Sequence, residues 1–184
     1  MNKNLSKRVN EMTTSATLAM AAKARELKET GKDIISLRLG EPDFAIPEYI
    51  KDAAIQAIKD DYHSYPPVDG YTELKQAIIT KFKRDNNLDY KPAPIVVSTG
   101  AKQSLANIVM ALVNEGDEVI LPSPYWVSYS DMTQLFGGVP KVIPSSLESD
   151  FKITPDQLEA ASTSKTIMLL FSSPCNPSGS VYSK

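Results

Sequence analysis

One cysteine, one histidine and one tryptophan are all that this chain of 184 residues carries of those three types. With Cys175 alone there is no intrachain disulfide framework, which points to a reducing compartment. With His63 alone no Cys/His set of metal-ligand spacing can be assembled, and no metal is expected. An excess of charge is lacking too: 20 Lys and Arg stand against 22 Asp and Glu, a formal net charge of -2. No long block of like charges occurs, which argues against a nucleic-acid surface. No stretch approaches the roughly 18 apolar residues that a membrane span needs. The mildly apolar run at 16–22 follows Lys3, Lys7 and Arg8, but it is short, rich in alanine and closed by Lys23 and Arg25, so a secretory leader is not expected. What these absences leave is a soluble, cytoplasmic protein with a small-molecule partner, no nucleic acid and no membrane. The composition, 42% hydrophobic and 23% charged, is that of an ordinary globular chain long enough for one good-sized domain.

What is present centres on residues 95–113, IVVSTGAKQSLANIVMALV. Ile95, Val96 and Val97 form a β-branched run that reads as a buried strand. Gly100 interrupts it, and Leu105, Ile108, Val109 and Leu112 then recur at helical spacing. The turn is built from Ser98, Thr99, Gly100 and Ala101, small residues that leave backbone N–H groups open at the positive end of the following helix. Such a turn suits an anion, a phosphate above all, and it equally suits plain strand-to-helix packing. It is neither G-x-x-x-x-G-K-[ST] nor G-x-G-x-x-G, so a phosphate held there does not belong to a nucleotide bound in either of those ways.

The rest of the chain alternates. Residues 1–16 are polar and lack periodicity. Leu18, Ala21, Ala22, Arg25 and Glu29 lie along a helix that Gly31 closes. A short strand-like run at 34–39 empties into Gly40-Glu41-Pro42-Asp43-Phe44. Pro47 opens a helix at its first position, with Ile50, Ala53, Ala54, Ala57 and Ile58 on the inner face. His63 sits in a Pro-rich irregular segment, and Thr72 caps the next helix, which Asn86 and Asn87 end. A strand at 118–121 runs into Pro122-Ser123-Pro124-Tyr125-Trp126, and the helix begun there stops at Gly137-Gly138. A strand at 139–143 follows, then a capping box with Thr154, Pro155 and Gln157, and last the most apolar strand, 167–171, which ends in SSPCNPSG.

Strands alternating with helices predict βαβ units, an α/β fold with a mainly parallel sheet covered on both faces. The carboxyl ends of such strands share one edge, so the Gly100, Trp126 and Asn176 loops are candidates to line one pocket. A helix N-terminus for phosphate, an indole against a flat ring and an amide for a ring substituent together suit a phosphorylated aromatic cofactor. Singly, each residue has a plainer reading: Trp126 as core packing, Asn176 as a turn residue before Pro177, Tyr65 as a surface aromatic, Gly40 as backbone geometry.

Five segments in one order go further: LGEPDF at 39–44, SYPPVDG at 64–70, STGAKQS at 98–104, SPYWVSY at 123–129 and SSPCNPSG at 172–179. In these the chain resembles the fold-type I pyridoxal-phosphate aminotransferases, above all the bacterial aspartate aminotransferase subgroup, across essentially its whole length. The resemblance implies a three-layer large domain, cut short on its C-terminal side. It implies an arm, first helix and part of the small domain over 1–45, with the N-terminal part of the cofactor domain over 46–184. It further implies pyridoxal 5'-phosphate as cofactor. Gly100, Ala101 and Lys102 match the phosphate turn, Trp126 the residue stacked on the cofactor ring, and Asn176 the amide on the ring's phenolic oxygen. Asn176, Trp126 and Gly40 match positions that meet the substrate, Gly40 by its backbone at the α-carboxylate. Tyr65 matches a tyrosine that reaches the partner subunit's phosphate, so a homodimer with composite sites is implied. Cis peptides before Pro124 and Pro177 are implied as well.

The chain departs from the family by stopping at Lys184, whereas its members run to roughly twice this length. The resemblance places beyond that end the lysine that binds the cofactor covalently, the aspartate on the pyridinium nitrogen and the arginine on the substrate carboxylate. No catalytic residue is therefore assigned, and Lys102, at the phosphate turn, is not that lysine. Cys175 stands where a polar residue is common and reads as a small neutral filler. The implied activity is transamination, with aspartate and 2-oxoglutarate as the first pair. Aromatic, alanine or prephenate-type substrates, a carbon-sulfur lyase reaction, and a non-catalytic aminotransferase-like binding module are the alternatives. Side-chain selection is expected to involve the N-terminal arm, including Ser15 and Thr17.

Overall fold

A central strand buried on both sides anchors the larger of two compact units in the computed structural model, which describes residues 4–11, 16–35, 40 and 42–183. This unit joins Met1–Ala19 to Ala101–Lys184, and the second is Met20–Gly100. In chain order the elements are α1 (Lys7–Glu11), α2 (Ala16–Glu29), α3 (Glu48–Lys59), α4 (Thr72–Asn86), α5 (Ala101–Leu112), β1 (Glu118–Pro122), α6 (Ser128–Leu135), β2 (Val139–Ile143), α7 (Pro155–Ala161) and β3 (Thr166–Leu169).

The three strands form a parallel sheet in the order β2-β1-β3. Glu118 faces Val139 and Pro122 faces Ile143 on one side of β1, and a register shift lies between Glu118 and Val119 on the other. Val119, Ile120 and Leu121 are at most 1% exposed. Such an unbroken apolar run is what a strand covered on both faces requires. Val119 and Leu121 pack with Val109, Val113, Tyr129, Met132 and Leu170 into one cluster. Each of these aliphatic side chains contributes about 1.5–3 kcal/mol by leaving water. Thr133 is fully buried there, and its hydroxyl donates to the Tyr129 carbonyl at 2.8 Å. Gly138 lets β2 enter closely, because a Cβ at that position would stand 2.7 Å from Val113 Cγ1 and 2.9 Å from Thr133 Cγ2. The capping box of α7 forms as expected: Gln157 N–H donates to Thr154 Oγ1 at 3.2 Å, and Thr154 N–H donates to Gln157 Oε1 at 2.8 Å.

Several expectations change. The 1–16 segment carries the short helix α1. Of the strand-like run expected at 34–39, residues 36–39 lie outside the described residues. Among the described residues the β-branched run at 95–97 joins no sheet, because a strand needs a neighbour to bond, and here the Val97 N–H donates to the Asp69 carbonyl, at 3.0 Å. Pro47 stands one residue outside α3, and its carbonyl accepts from Ile50 and Lys51. Thr72 is the first residue of α4 rather than its cap, which is Tyr71 in extended conformation. The face of α3 expected to point inward is open, with Ile50 46% and Ile58 77% exposed, since burial needs a covering layer and the described residues of this unit supply none.

Glu118 ties the sheet together at its amino edge. Its Oε2 accepts from Thr163 Oγ1 at 2.7 Å, Thr166 Oγ1 at 3.0 Å and Lys141 Nζ at 3.2 Å. These bonds, that from Thr163 foremost, hold its carboxyl below the usual glutamate range. A lowered folded-state value contributes stability above the ordinary pKa of 4.5 that is lost as pH falls through the lowered value. Glu118→Gln is therefore expected to lower the melting temperature near neutrality and to leave it less dependent on pH below 4.5 than the parent, as acid titration by circular dichroism would read.

Candidate functional site

The first chemistry-bearing loop leaves β1 at Pro122. Ser123 N–H donates to the Ile143 carbonyl at 2.9 Å, the Ser145 hydroxyl donates to the Ser123 carbonyl, and the Ser123–Pro124 bond is cis. The chain is thus held to the end of β2 as it turns into α6, whose first turn begins with Tyr129 N–H donating to the Trp126 carbonyl at 2.9 Å. Trp126 is half-buried, edge-on to Tyr129 with ring centroids 5.5 Å apart. The Lys102 ammonium, from the first turn of α5, lies 5.0 Å from the centre of the indole ring. That is cation–π distance, and it sets a positive charge beside an aromatic face at a helix N-terminus.

The second loop follows β3. Asn176 N–H donates to Ser172 Oγ at 3.1 Å, Gly179 N–H to the Cys175 carbonyl at 2.8 Å, and Cys175 N–H to the Ser180 carbonyl at 2.9 Å. The two expected cis bonds, before Pro124 and Pro177, are present, and Ser173–Pro174 is a third. Cys175 joins the two loops, its thiol donating to the Pro124 carbonyl at 3.2 Å. The sequence reading of Cys175 as filler missed this contact, which no local pattern signals. The Asn176 side chain is exposed, and its carboxamide has no hydrogen bond among the described residues.

Lys102, Trp126 and Asn176 thus sit on elements of one unit, with Ala101 opening α5 in the same unit. Gly100, Tyr65 and Gly40 belong to the other. Gly100 has φ +83, a left-handed turn that its N–H closes on the Ser98 carbonyl at 2.8 Å. Tyr65 is fully exposed, and Gly40 has open space where a side chain would stand. Of the LGEPDF segment, Leu39 and Glu41 lie outside the described residues, as does Ser15. Among the described residues no group of three metal-ligating side chains gathers, and no helix is long and apolar enough to cross a membrane.

First-turn amides, an ammonium, an indole face and a carboxamide without a partner among the described residues have the chemistry that suits a flat anionic ligand, and the carboxyl ends of parallel strands are where α/β folds place such sites. Comparison with known proteins makes the assignment narrower. Residues 32–184 match the model of aminotransferase class I and II, and the chain belongs to that family. It is 54% identical over 179 residues to an aspartate/prephenate aminotransferase of Nitrosomonas europaea, covering 97% of this chain and 45% of the relative. To an aspartate aminotransferase of Bacillus sp. strain YM-2 it is 50% identical over 184 residues, covering 100% of this chain and 47% of the relative. Among solved structures, the aspartate aminotransferase from Thermus thermophilus with maleate superposes with a TM-score of 0.94 at 43% identity, covering 98% of this chain and 47% of that one. The corresponding enzyme from Rhizobium meliloti gives 0.93 at 45% identity, over 97% and 45%. The α/β fold with its parallel sheet is therefore that of the fold-type I aminotransferases, and the chain spans under half the length of the relatives it matches.

The loop-to-loop thiol contact is open to test. A hydrogen bond is worth a net 0.5–1.5 kcal/mol, roughly, and a thiol donor sits at the low end. Cys175→Ala should lower the melting temperature by a degree or two and Cys175→Ser by less, as differential scanning calorimetry of the full-length protein would record.

Proposed function

We propose that this chain is the cofactor-cradling N-terminal portion of an amino-acid transaminase of the cytoplasm, moving an amino group from aspartate to 2-oxoglutarate. The observation that carries the reading is the grouping of the Lys102 ammonium 5.0 Å from the Trp126 ring centre with a neighbouring loop, stitched on by Cys175, that offers a carboxamide without a partner among the described residues. Pyridoxal phosphate fits these groups: a dianionic phosphate suits the first turn of α5 and Lys102, a planar pyridine suits the indole, and a phenolic oxygen suits Asn176. When bound, that cofactor supplies the electron sink that an amino transfer needs.

In this reading Gly100, Ala101 and Lys102 hold the phosphate, and the left-handed Gly100 turn, with nothing near its Cβ position, leaves room for close approach. Trp126 fixes the plane of the ring. Asn176 donates to the ring oxygen and, with the Gly40 backbone, orients the substrate carboxylate. Tyr65, fully exposed on its loop, donates to the phosphate held by a second copy of the chain, making a homodimer with shared sites. Residues 1–45 serve as arm and part of a small domain, and 46–184 as part of the large one. The open apolar face of α3 suits a covering layer from the remainder of such a protein. The relative from Nitrosomonas europaea favours a second reading, in which a prephenate-type compound takes the amino group.

The reading is tested on the full-length protein by titrating pyridoxal phosphate and then assaying aspartate with 2-oxoglutarate. Trp126→Ala is expected to weaken cofactor binding about tenfold, Trp126→Phe by less, and Asn176→Ala to reduce turnover tenfold or more. Unchanged cofactor affinity and turnover in Asn176→Ala would remove the site assignment.

A further inference from the structure

The one charged side chain that is almost fully buried among the described residues, Lys75, belongs to none of the groups so far considered. It stands in the first turn of α4, its side chain 9% exposed, and its ammonium donates to Asp69 Oδ2 at 2.5 Å. Helical side chains lean toward the N-terminus, so a lysine here reaches back to the residues just ahead of its own helix. The same residue, Asp69, accepts the Val97 N–H on its carbonyl at 3.0 Å. Gly70, at φ +101, is pressed against Val97, where a Cβ would stand 2.7 Å from Val97 Cγ2. Behind this joint, Tyr62 and Tyr71 meet edge-on with ring centroids 5.8 Å apart and close the base of the loop that bears Tyr65.

Two segments are therefore fastened at one point: the 63–70 loop, and the 95–97 segment that leads directly into Ser98 and Gly100. Among the described residues neither has a sheet ladder to hold it. The pair is only half-buried, Asp69 being 43% exposed, and such a pair is a poor source of net stability, since apolar residues of the same shape commonly do as well. What it supplies is a single allowed position, because any shift of Asp69 away from Lys75 leaves a buried ammonium without a partner. Its carboxyl is held below the usual aspartate range, chiefly by the bond from Lys75, so that carboxylate is charged at neutral pH.

We infer that Lys75 and Asp69 are positioning residues for the phosphate of the cofactor, fixing the Tyr65 loop against the segment that delivers Gly100. This rests on the proposed function above. The pair touches neither cofactor nor substrate and acts through Tyr65 and Gly100. In a homodimer each clamp then serves both sites, its own through Gly100 and its partner's through Tyr65.

The test compares pyridoxal phosphate with pyridoxal, which lacks the phosphate, by equilibrium binding to the full-length protein. Lys75→Met is expected to weaken pyridoxal phosphate about tenfold while pyridoxal changes by less than about twofold, and Lys75→Arg to restore most of the difference. General loosening of the fold lowers the melting temperature but affects the two ligands alike. If Lys75→Met does not fold, Asp69→Asn, which keeps a neutral acceptor for the lysine, should still lose pyridoxal phosphate selectively, by about threefold. Full retention of the parent's preference for pyridoxal phosphate in the folded variants overturns the clamp and leaves the proposed function standing. A parent protein that binds both ligands equally overturns the phosphate turn, and the clamp with it.

Discussion

Burial of β1 on both faces is the constraint on which the described sheet depends. Val119 and Leu121 face the cluster under α5 and α6, while Ile120 is as deeply buried without joining that cluster. A strand with no polar face needs layers above and below and strands on either side, which is the condition that favours parallel pairing through helical crossovers. Parallel pairing then sends every strand end to one edge. Since β1 and β3 are neighbours, about 4.8 Å apart, the loops that leave them emerge side by side. The proximity of Trp126 and the Asn176 loop follows from that geometry, and the Cys175 thiol spans the gap that remains.

Where a polar group lies decides whether it serves the fold or is left for a ligand. At the amino edge Glu118 takes three donors on one oxygen, and in the core Thr133 is satisfied by its own helix. At the helix start Thr154 and Gln157 satisfy each other. At the carboxyl edge the pattern reverses: among the described residues the Asn176 carboxamide has no partner, and a lysine is drawn over an indole. A chain otherwise consistent from local pairing to packing relaxes that consistency at the edge where the proposed cofactor site lies.

Much of the larger unit was legible in the sequence because its signals are local. Gly137-Gly138 after an amphipathic run, the Thr154-Pro155-Gln157 cap and the apolar run at 118–121 each act within a few residues, and each element appears where its signal stands. What was illegible depends on partners distant in the chain. The 95–97 run has strand chemistry, yet among the described residues its backbone amides find only the Pro92 carbonyl, from Ile95, and the Asp69 carbonyl, from Val97. Thr72 has cap chemistry, yet Tyr71 holds the extended geometry that a cap needs. The amphipathic pattern of α3 shows which face is apolar and is silent on whether anything covers it.

The same distinction explains which of the proposed site residues stand out in the sequence. Gly100, Trp126 and Asn176 are conspicuous because their types are rare in those contexts: a glycine between a β-branched run and a helix, the sole tryptophan, an asparagine between prolines. Lys75 is one of 20 basic residues on a helix whose pattern reads as an ordinary solvated face, and Asp69 looks like a turn residue before Gly70. Only the fold reveals that the lysine points inward and that the carboxylate sits on the carbonyl-bonded joint to Val97. Residues that touch a ligand tend to be chemically unusual, whereas those that hold them in place draw on common side chains in uncommon surroundings, and burial is the property that sets the latter apart.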